Sequence, residues 1–147
     1  MSPLRLSTVL YFTFSAILAL ACAYLHYSVY PRLKSASESA FADVHKKIMS
    51  LSYMTFLPLM VLEVACFALI IHFEPDYEYG DWAFFGLFKV GLWVITVPVM
   101  MELHKKLKKK KDDKVIAELA NLNLIRLLMW GLMSVIILHG MLKYWQK

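Results

Sequence analysis

The sequence has few charged residues and few cysteines, which are common in soluble domains and in disulfide-rich domains, respectively. Only 18% of its 147 residues are charged, and it holds two cysteines, five glycines and five prolines. A soluble domain carries about 25% charged residues, so the shortage of charge argues against that class. Cys22 and Cys66 both fall inside apolar segments, where a cysteine behaves as a small buried hydrophobic residue rather than as half of a disulfide.

Motifs of several common enzyme classes are also missing. The chain contains no G-x-S-x-G, H-E-x-x-H, C-x-x-C or glycine-rich phosphate loop, so the hydrolase, nucleotide-driven and thiol-redox classes have no support. The net charge of +5 depends on a short run, KKLKKKKDDK, that is mixed in sign and adjoins an apolar segment. We therefore expect no nucleic-acid partner, and we expect this run to contact anionic lipid headgroups.

Apolar residues make up 60% of the chain and are concentrated in four long runs. Each run is close to the roughly 20 residues that a helix needs to cross a bilayer. In lipid every backbone polar group must be paired within the chain, so these runs are predicted to be helices of a bundle. The predicted helices are Leu6–Val29, Ile48–Ile71, Trp82–Leu103 and Leu122–Trp145.

Basic residues are distributed unevenly between the segments that join these runs. Eleven of the 16 lysine and arginine residues lie in segments 30–47 and 104–121, whereas segment 72–81 is acidic. Cytoplasmic loops carry an excess of lysine and arginine, so both termini are expected outside the cell. The sequence thus predicts a single domain, residues 1–147: an all-α, integral membrane four-helix bundle, N-out and C-out, in a bacterial inner membrane.

Two charged residues interrupt the apolar runs. Glu63, in FLPLMVLEVACFALIIH, lies about 13 Å from the outer end of its helix, and Lys89 lies about 10 Å from the outer end of the next. A charge inside a bilayer needs a partner, so an ion pair between them is predicted. Two roles remain open: the pair fixes helix packing, or Glu63 carries a proton or binds a ligand while Lys89 supplies a positive charge.

A second group of polar residues is expected at the cytoplasmic end of the bundle. It comprises His26, His45, Glu102, His104, Asn123 and Arg126. Imidazole suits zinc, copper and iron, so the three histidines are candidate ligands of a transition metal or of haem iron. Histidines that are solvated or hydrogen-bonded are the alternative. Glu102 and Arg126 lie at matching depth, which suggests an ion pair between them.

Three further residues bear on the interior of the bundle. His139 lies about two turns inside the outer end of the fourth run, where it could face Glu63 and Lys89 and form a second, outward-facing site. Pro58 and Pro98 each free a backbone carbonyl and bend a helix. Such bends either shape a ligand pocket or serve only the packing of kinked helices.

A recurring set of residues resembles a known family. The chain carries Tyr30-Pro31, then Phe41 and His45, then Pro58-Leu-Met60-Val-Leu-Glu63, and finally His104 followed by Asn123-Leu-Ile-Arg126 and Trp130. This pattern is similar to H-Y-P, F-x-x-Y-H, P-x-M-L-x-E and N-W-I-R-T-x-x-W in a family of small bacterial four-helix membrane proteins without an assigned function. The resemblance implies that the family's characteristic positions are His45, Glu63, His104, Asn123, Arg126 and Trp130.

A more distant resemblance is to the four-helix bacterial protoporphyrinogen oxidase, which binds haem b. The segment Tyr30-Pro31-Arg32-Leu33, and Lys89 within LFKVGLW, are similar to segments of that family. Leu10, Tyr11 and Phe12 stand where the family has a histidine early in its first helix. The resemblance favours a tetrapyrrole or a quinone-like ligand.

These observations leave two hypotheses about function. In the first, the protein binds a ligand or cofactor, haem b or a transition metal among them, and acts in redox chemistry. In the second, it is a non-enzymatic accessory subunit of a larger membrane complex or a carrier of small solutes. Four helices enclose little volume, so a carrier is expected to form a homo-oligomer, and Ser15, Ala16, Ala19 and Ala23 suit either such a contact or packing within one chain.

Overall fold

The computed structural model describes the backbone of residues 2–73 and 79–145, and the side chains of these residues except 51, 79–83 and 143–145. The described residues form α-helices and two short π-helical segments, with no strand among them. The α-helices are α1 (Pro3–Tyr24), α2 (Tyr30–Ser35), α3 (Glu38–Phe73), α4 (Tyr79–Val94), α5 (Met100–Lys109) and α6 (Asp113–Trp145). The π-helical segments are Leu25–Val29, between α1 and α2, and Ile95–Val99, between α4 and α5.

Four continuous helical spans in the described part of the chain are long and apolar enough to cross a membrane. They are Pro3–Ser35, Glu38–Phe73, Phe84–Lys109 and Asp113–Leu142. The prediction of an all-α fold with four such helices is therefore confirmed. Residues 74–78 of the predicted acidic segment 72–81 lie outside the described residues, and the remaining residues of this segment belong to α3 and α4.

Three helices begin at side-chain caps that can be read from the sequence. The Ser2 hydroxyl accepts a hydrogen bond from the Arg5 backbone N–H at 3.3 Å, with a proline in the first turn of α1. Ser37 accepts from the Ala40 N–H at 3.4 Å before α3, and Asp112 accepts from the Lys114 N–H at 2.9 Å before α6. Each cap satisfies a donor that the first turn of a helix leaves free.

The second and fourth spans are longer than the apolar runs predicted. α3 begins at Glu38 rather than at Ile48, and α6 begins at Asp113 rather than at Leu122. With 36 residues, α3 is about 54 Å long, well beyond the roughly 30 Å of a hydrocarbon layer. Segments 30–47 and 104–121, predicted as loops, are thus largely helical. The helices begin at caps outside the apolar runs, and their first turns carry charged as well as apolar residues.

The bundle buries large side chains inside and leaves many apolar ones outside. α1 makes its most extensive contacts with α3 and α6. The fully buried large side chains include Tyr11, Leu18, Leu33, Met60, Leu92, Leu107, Trp130 and Met133. Large apolar residues that are more than half exposed include Leu20, Met54, Leu87, Leu128 and Val135. A surface of this kind suits lipid rather than water.

The two π-helical segments are each associated with a proline. Pro98 lies inside Ile95–Val99, and Pro31 lies in the first turn of α2, directly after Leu25–Val29. A proline cannot donate to the preceding turn and its ring crowds the carbonyl four residues back, which the wider π turn relieves. Pro58, by contrast, lies inside the continuous α-helix α3.

Candidate functional site: a buried charge cluster and a lateral pocket

Glu63 and Lys89 form the ion pair that their depths predict. Glu63 is 1% exposed, and one of its carboxylate oxygens also accepts a hydrogen bond from Ser15 on α1. Its other oxygen accepts from the Trp130 indole N–H at 3.3 Å. The Lys89 ammonium lies 4.6 Å from the centre of the Tyr11 ring. The carboxylate is therefore held by three helices besides its own.

Three of these partners could not be assigned from the sequence. Ser15 stood out only as one of several small residues on α1, and Tyr11 and Trp130 only as members of the two resemblances. The spacing of Tyr11 and Ser15, one turn apart, does place them on one face of α1. Which helix that face contacts is decided by packing.

His139 does not join this cluster. Its side chain is exposed on the outer surface of α6, whereas the contacts of Glu63 come from Ser15, Lys89 and Trp130. The expected second, outward-facing site is therefore corrected: the structure does not bring His139 to the buried pair.

At the opposite end of the bundle, two of the three predicted histidines meet. His45 and His104 are 3% and 7% exposed, and His45 Nε2 lies 3.1 Å from His104 Nδ1, a hydrogen bond. The His45 ring stacks on Phe41 with 5.7 Å between ring centres. One nitrogen of each imidazole is thus occupied by the other imidazole.

His26 lies apart from this pair, which corrects the expected three-histidine site. Its Nδ1 is 3.1 Å from the carbonyl oxygen of Ala120 on α6. Among the described residues no three histidine, cysteine or acidic side chains converge as metal ligands would. Because His45 and His104 bond to each other, neither a metal nor haem iron fits between them without breaking that bond.

Glu102 and Arg126 do not pair. The Glu102 side chain is 60% exposed and contacts Lys105 one turn further along α5 at 3.3 Å. Arg126 is 3% exposed, and its guanidinium lies against two aromatic rings, with the guanidinium carbon 4.3 Å from the centre of Phe56 and 5.1 Å from that of Trp130. The expected ion pair is corrected: Glu102 points outward and Arg126 inward.

Asn123 has a structural contact. It is fully buried, and its side-chain amide donates a 2.7 Å hydrogen bond to the carbonyl oxygen of Cys22. That carbonyl belongs to the last full turn of α1, directly before the first π-helical segment. Asn123 thus ties α6 to the point where the helical hydrogen-bond pattern of the first span changes.

A cavity of about 230 Å³, here called the lateral pocket, lies between α3 and the third span. From α3 it is lined by Met49, Ser52, Tyr53, Phe56, Leu57 and Met60. From the third span it is lined by Thr96, Val97, Met100, Met101 and His104, and the other helices contribute Leu25, Tyr30 and Arg126. Tyr53 and Leu57 are each 43% exposed, so the pocket reaches the outer surface of the bundle.

Two residues that line this pocket have buried polar atoms for which the described residues supply no hydrogen-bond partner. Arg126 Nη1 lies 3.0 Å from the Met100 sulfur, but its Nε and Nη2 have no hydrogen-bond partner among the described residues. The buried Thr96 hydroxyl also has none within the described part of the chain. Buried polar groups are normally paired, so these exceptions call for an explanation, and a bound ligand would supply one. The lateral pocket is the best candidate for a ligand site.

Comparisons with protein-family models, with curated proteins and with solved structures found no match for this chain. The two family resemblances of the sequence therefore stay predictions.

Proposed function

We propose that the protein is an integral membrane protein of a bacterial inner membrane that binds a lipid-soluble ligand in the lateral pocket. The observation that carries this proposal is the pocket itself: apolar walls, a small polar end and an opening on the apolar surface of the bundle. Ligand pockets have this composition, with a few polar groups that orient a mostly apolar ligand. The opening favours entry from lipid rather than from water.

Two features support a binding site over a defect in packing. The pocket has about 230 Å³ and extends from the surface inward to the buried side chains of Met60, Met100 and Arg126. Its walls also use residues of both π-helical segments, Leu25 from the first and Thr96 and Val97 from the second. Such segments are frequent at functional sites, because they displace backbone and side chains from α-helical positions.

Insertion with both termini outside is part of the same proposal. A cysteine introduced as Ser2→Cys should react with a membrane-impermeant maleimide in intact spheroplasts, and Lys109→Cys only after permeabilisation. Cys22 and Cys66 are buried, and replacing both by alanine removes their background. The reverse labelling pattern would contradict the N-out, C-out orientation.

Occupation of the pocket can be tested with two variants on α3. Ser52 lines the pocket, so Ser52→Phe should fill it, whereas Ala65 is exposed on the same helix and Ala65→Phe serves as the control. Each protein is purified with its lipid, and the organic extract is compared by mass spectrometry with the extract of the surrounding membrane. We expect a compound that the parent and Ala65→Phe enrich and Ser52→Phe loses. Equal extracts from all three would contradict the proposal.

A redox role is the second candidate, and one observation favours it. His104 lines the pocket, so a bound ligand can lie beside its imidazole. Its test is a visible spectrum of the purified protein before and after dithionite, with metal analysis. A Soret band that shifts on reduction and is lost in His104→Ala would support haem. A featureless spectrum without stoichiometric metal would favour an accessory subunit or a carrier.

A further inference from the structure

Arg126 brings a positive charge into the protein without a matching negative one. The buried charged side chains of the described residues are Glu63, Lys89 and Arg126. Glu63 and Lys89 neutralise each other, and Arg126 forms no ion pair with any carboxylate in the described part of the chain. A buried charge is costly unless it is paired, and the cation–π contacts of Arg126 with Phe56 and Trp130 compensate only in part.

The free part of the guanidinium has a particular shape. Nε and Nη2, the two nitrogens without a hydrogen-bond partner among the described residues, lie on the same edge of the planar group. Their N–H bonds run side by side, at the spacing of the two oxygens of a carboxylate or a phosphate. The third nitrogen, Nη1, is turned toward the Met100 sulfur. The edge left free is thus the one that forms paired hydrogen bonds with an oxyanion.

The residues around Arg126 in the lateral pocket narrow the choice of ligand further. Arg126 lines the lateral pocket together with Thr96, whose hydroxyl is likewise unpartnered within the described residues. Apart from these groups, Ser52 and His104, the residues that line the pocket are apolar or aromatic, with Phe56, Met60 and Met100 among them. A ligand that fits has one small anionic head and an apolar body.

Extending the proposed function of the pocket, on which this inference rests, we propose that its ligand is an amphipathic carboxylic acid bound as the monoanion. Binding uncovers the buried edge of Arg126, so that the carboxylate lies side-on against Nε and Nη2. The apolar chain leaves the pocket between Tyr53 and Leu57 toward lipid. A single carboxylate neutralises the single excess charge. A phosphate monoester presents the same oxygens but carries close to two negative charges at neutral pH, for which the pocket offers no second cation.

The test uses the purified protein in phosphatidylcholine nanodiscs at about pH 9.5, where a carboxyl group is ionised even though the bilayer raises its pKa. Hexadecanoic acid, hexadecanol and hexadecyl phosphate are added separately at equal mole fraction, and bound ligand is counted by native mass spectrometry. We expect the acid to bind at least about tenfold more tightly than the alcohol, because charge-assisted, bidentate hydrogen bonds are the strong ones. Tighter binding of the phosphate than of the acid would overturn the carboxylate assignment.

Variants separate the head group from the pocket. Arg126→Gln should abolish the preference for acid over alcohol. Arg126→Lys should lower it, because an ammonium keeps the positive charge but lacks the two parallel N–H donors of a guanidinium. Arg32 is exposed, so Arg32→Gln is the matched control and should change nothing. Full acid preference in Arg126→Lys would overturn the side-on contact, and this variant keeps the test valid where Arg126→Gln folds poorly.

The two proposals fail in different ways. Ser52→Phe should weaken acid and alcohol alike, since it fills the pocket. If acid and alcohol bind equally well and both are lost in Ser52→Phe, the pocket binds ligands but the inference about the head group is wrong. If neither ligand binds above the level of protein-free nanodiscs, the inference about the ligand is wrong, and the organic extracts of the parent and of Ser52→Phe decide the proposed function separately.

Discussion

Trp130 and Arg126 lie one turn apart on α6, and the indole ring of Trp130 contacts both the Arg126 guanidinium and the Glu63 carboxylate. The guanidinium carbon of Arg126 lies 5.1 Å from the ring centre, while the indole N–H donates to Glu63 at 3.3 Å. The negative face of the ring meets the cation and its positive edge meets the carboxylate. Trp130, itself fully buried, therefore contacts both the ion pair and the arginine that lines the lateral pocket.

Replacing Trp130 by phenylalanine should destabilise the fold by about 2–4 kcal/mol, because the Glu63 oxygen loses its donor and the core loses ring volume. Unfolding by SDS in mixed micelles measures the change. Trp93→Phe on α4, where the ring is half-buried, is the control and should cost less. In a Glu63→Gln background the Trp130 effect should shrink, since part of it is the bond to the charged carboxylate. An unchanged effect would show that only packing matters.

Breaking the ion pair from one side should be costly. Glu63→Gln or Lys89→Met alone leaves a buried charge without its partner, and we expect a loss of roughly 3–5 kcal/mol for each. The double variant should recover much of that loss, because no unpaired charge remains. Folding stability and ligand binding of all four proteins are compared. A double variant that folds and still binds at the lateral pocket assigns the pair to helix packing; one that folds without binding assigns it to function.

The His45–His104 contact should behave as a coupled pair. Phenylalanine at one position leaves a buried imidazole nitrogen without its partner, at a cost of about 1–3 kcal/mol. The double variant His45→Phe, His104→Phe should lose less than the sum of the two single variants. His139 is exposed, so His139→Phe should change stability little. Additive losses would mean that the two imidazoles do not depend on each other.

The contact of Asn123 should be specific to that position. Asn123→Ala removes the donor to the Cys22 carbonyl and should destabilise the protein by about 1–3 kcal/mol. Asn121 lies two residues earlier on α6 and is exposed, so Asn121→Ala should stay within about 0.5 kcal/mol. Equal losses in SDS unfolding would indicate that helix propensity rather than the Cys22 contact is responsible.

The sequence by itself determined how many membrane-length helical spans there are and how far along its span each residue lies. Four apolar runs predicted four helices, and the depths of Glu63 and Lys89 predicted their contact. Depth can be read from the chain because a helix rises by about 1.5 Å per residue. The first residues of the helices were harder to predict from the sequence, since α3 and α6 extend beyond the apolar runs to the caps at Ser37 and Asp112.

Only the tertiary structure decided which way each side chain points around its helix. Glu102 and Arg126 have matching depths but face opposite ways, and His26 turns from His45 and His104 toward Ala120. One residue corresponds to about 100° around a helix, and a π-helical turn holds about one residue more than an α-helical one. The segments Leu25–Val29 and Ile95–Val99 therefore rotate the helical residues after them by an amount that the apolar pattern does not reveal. Thr96 lies within the second segment and His104 follows it, and the packing of α6 against α1 and α5 brings Arg126 to the same pocket.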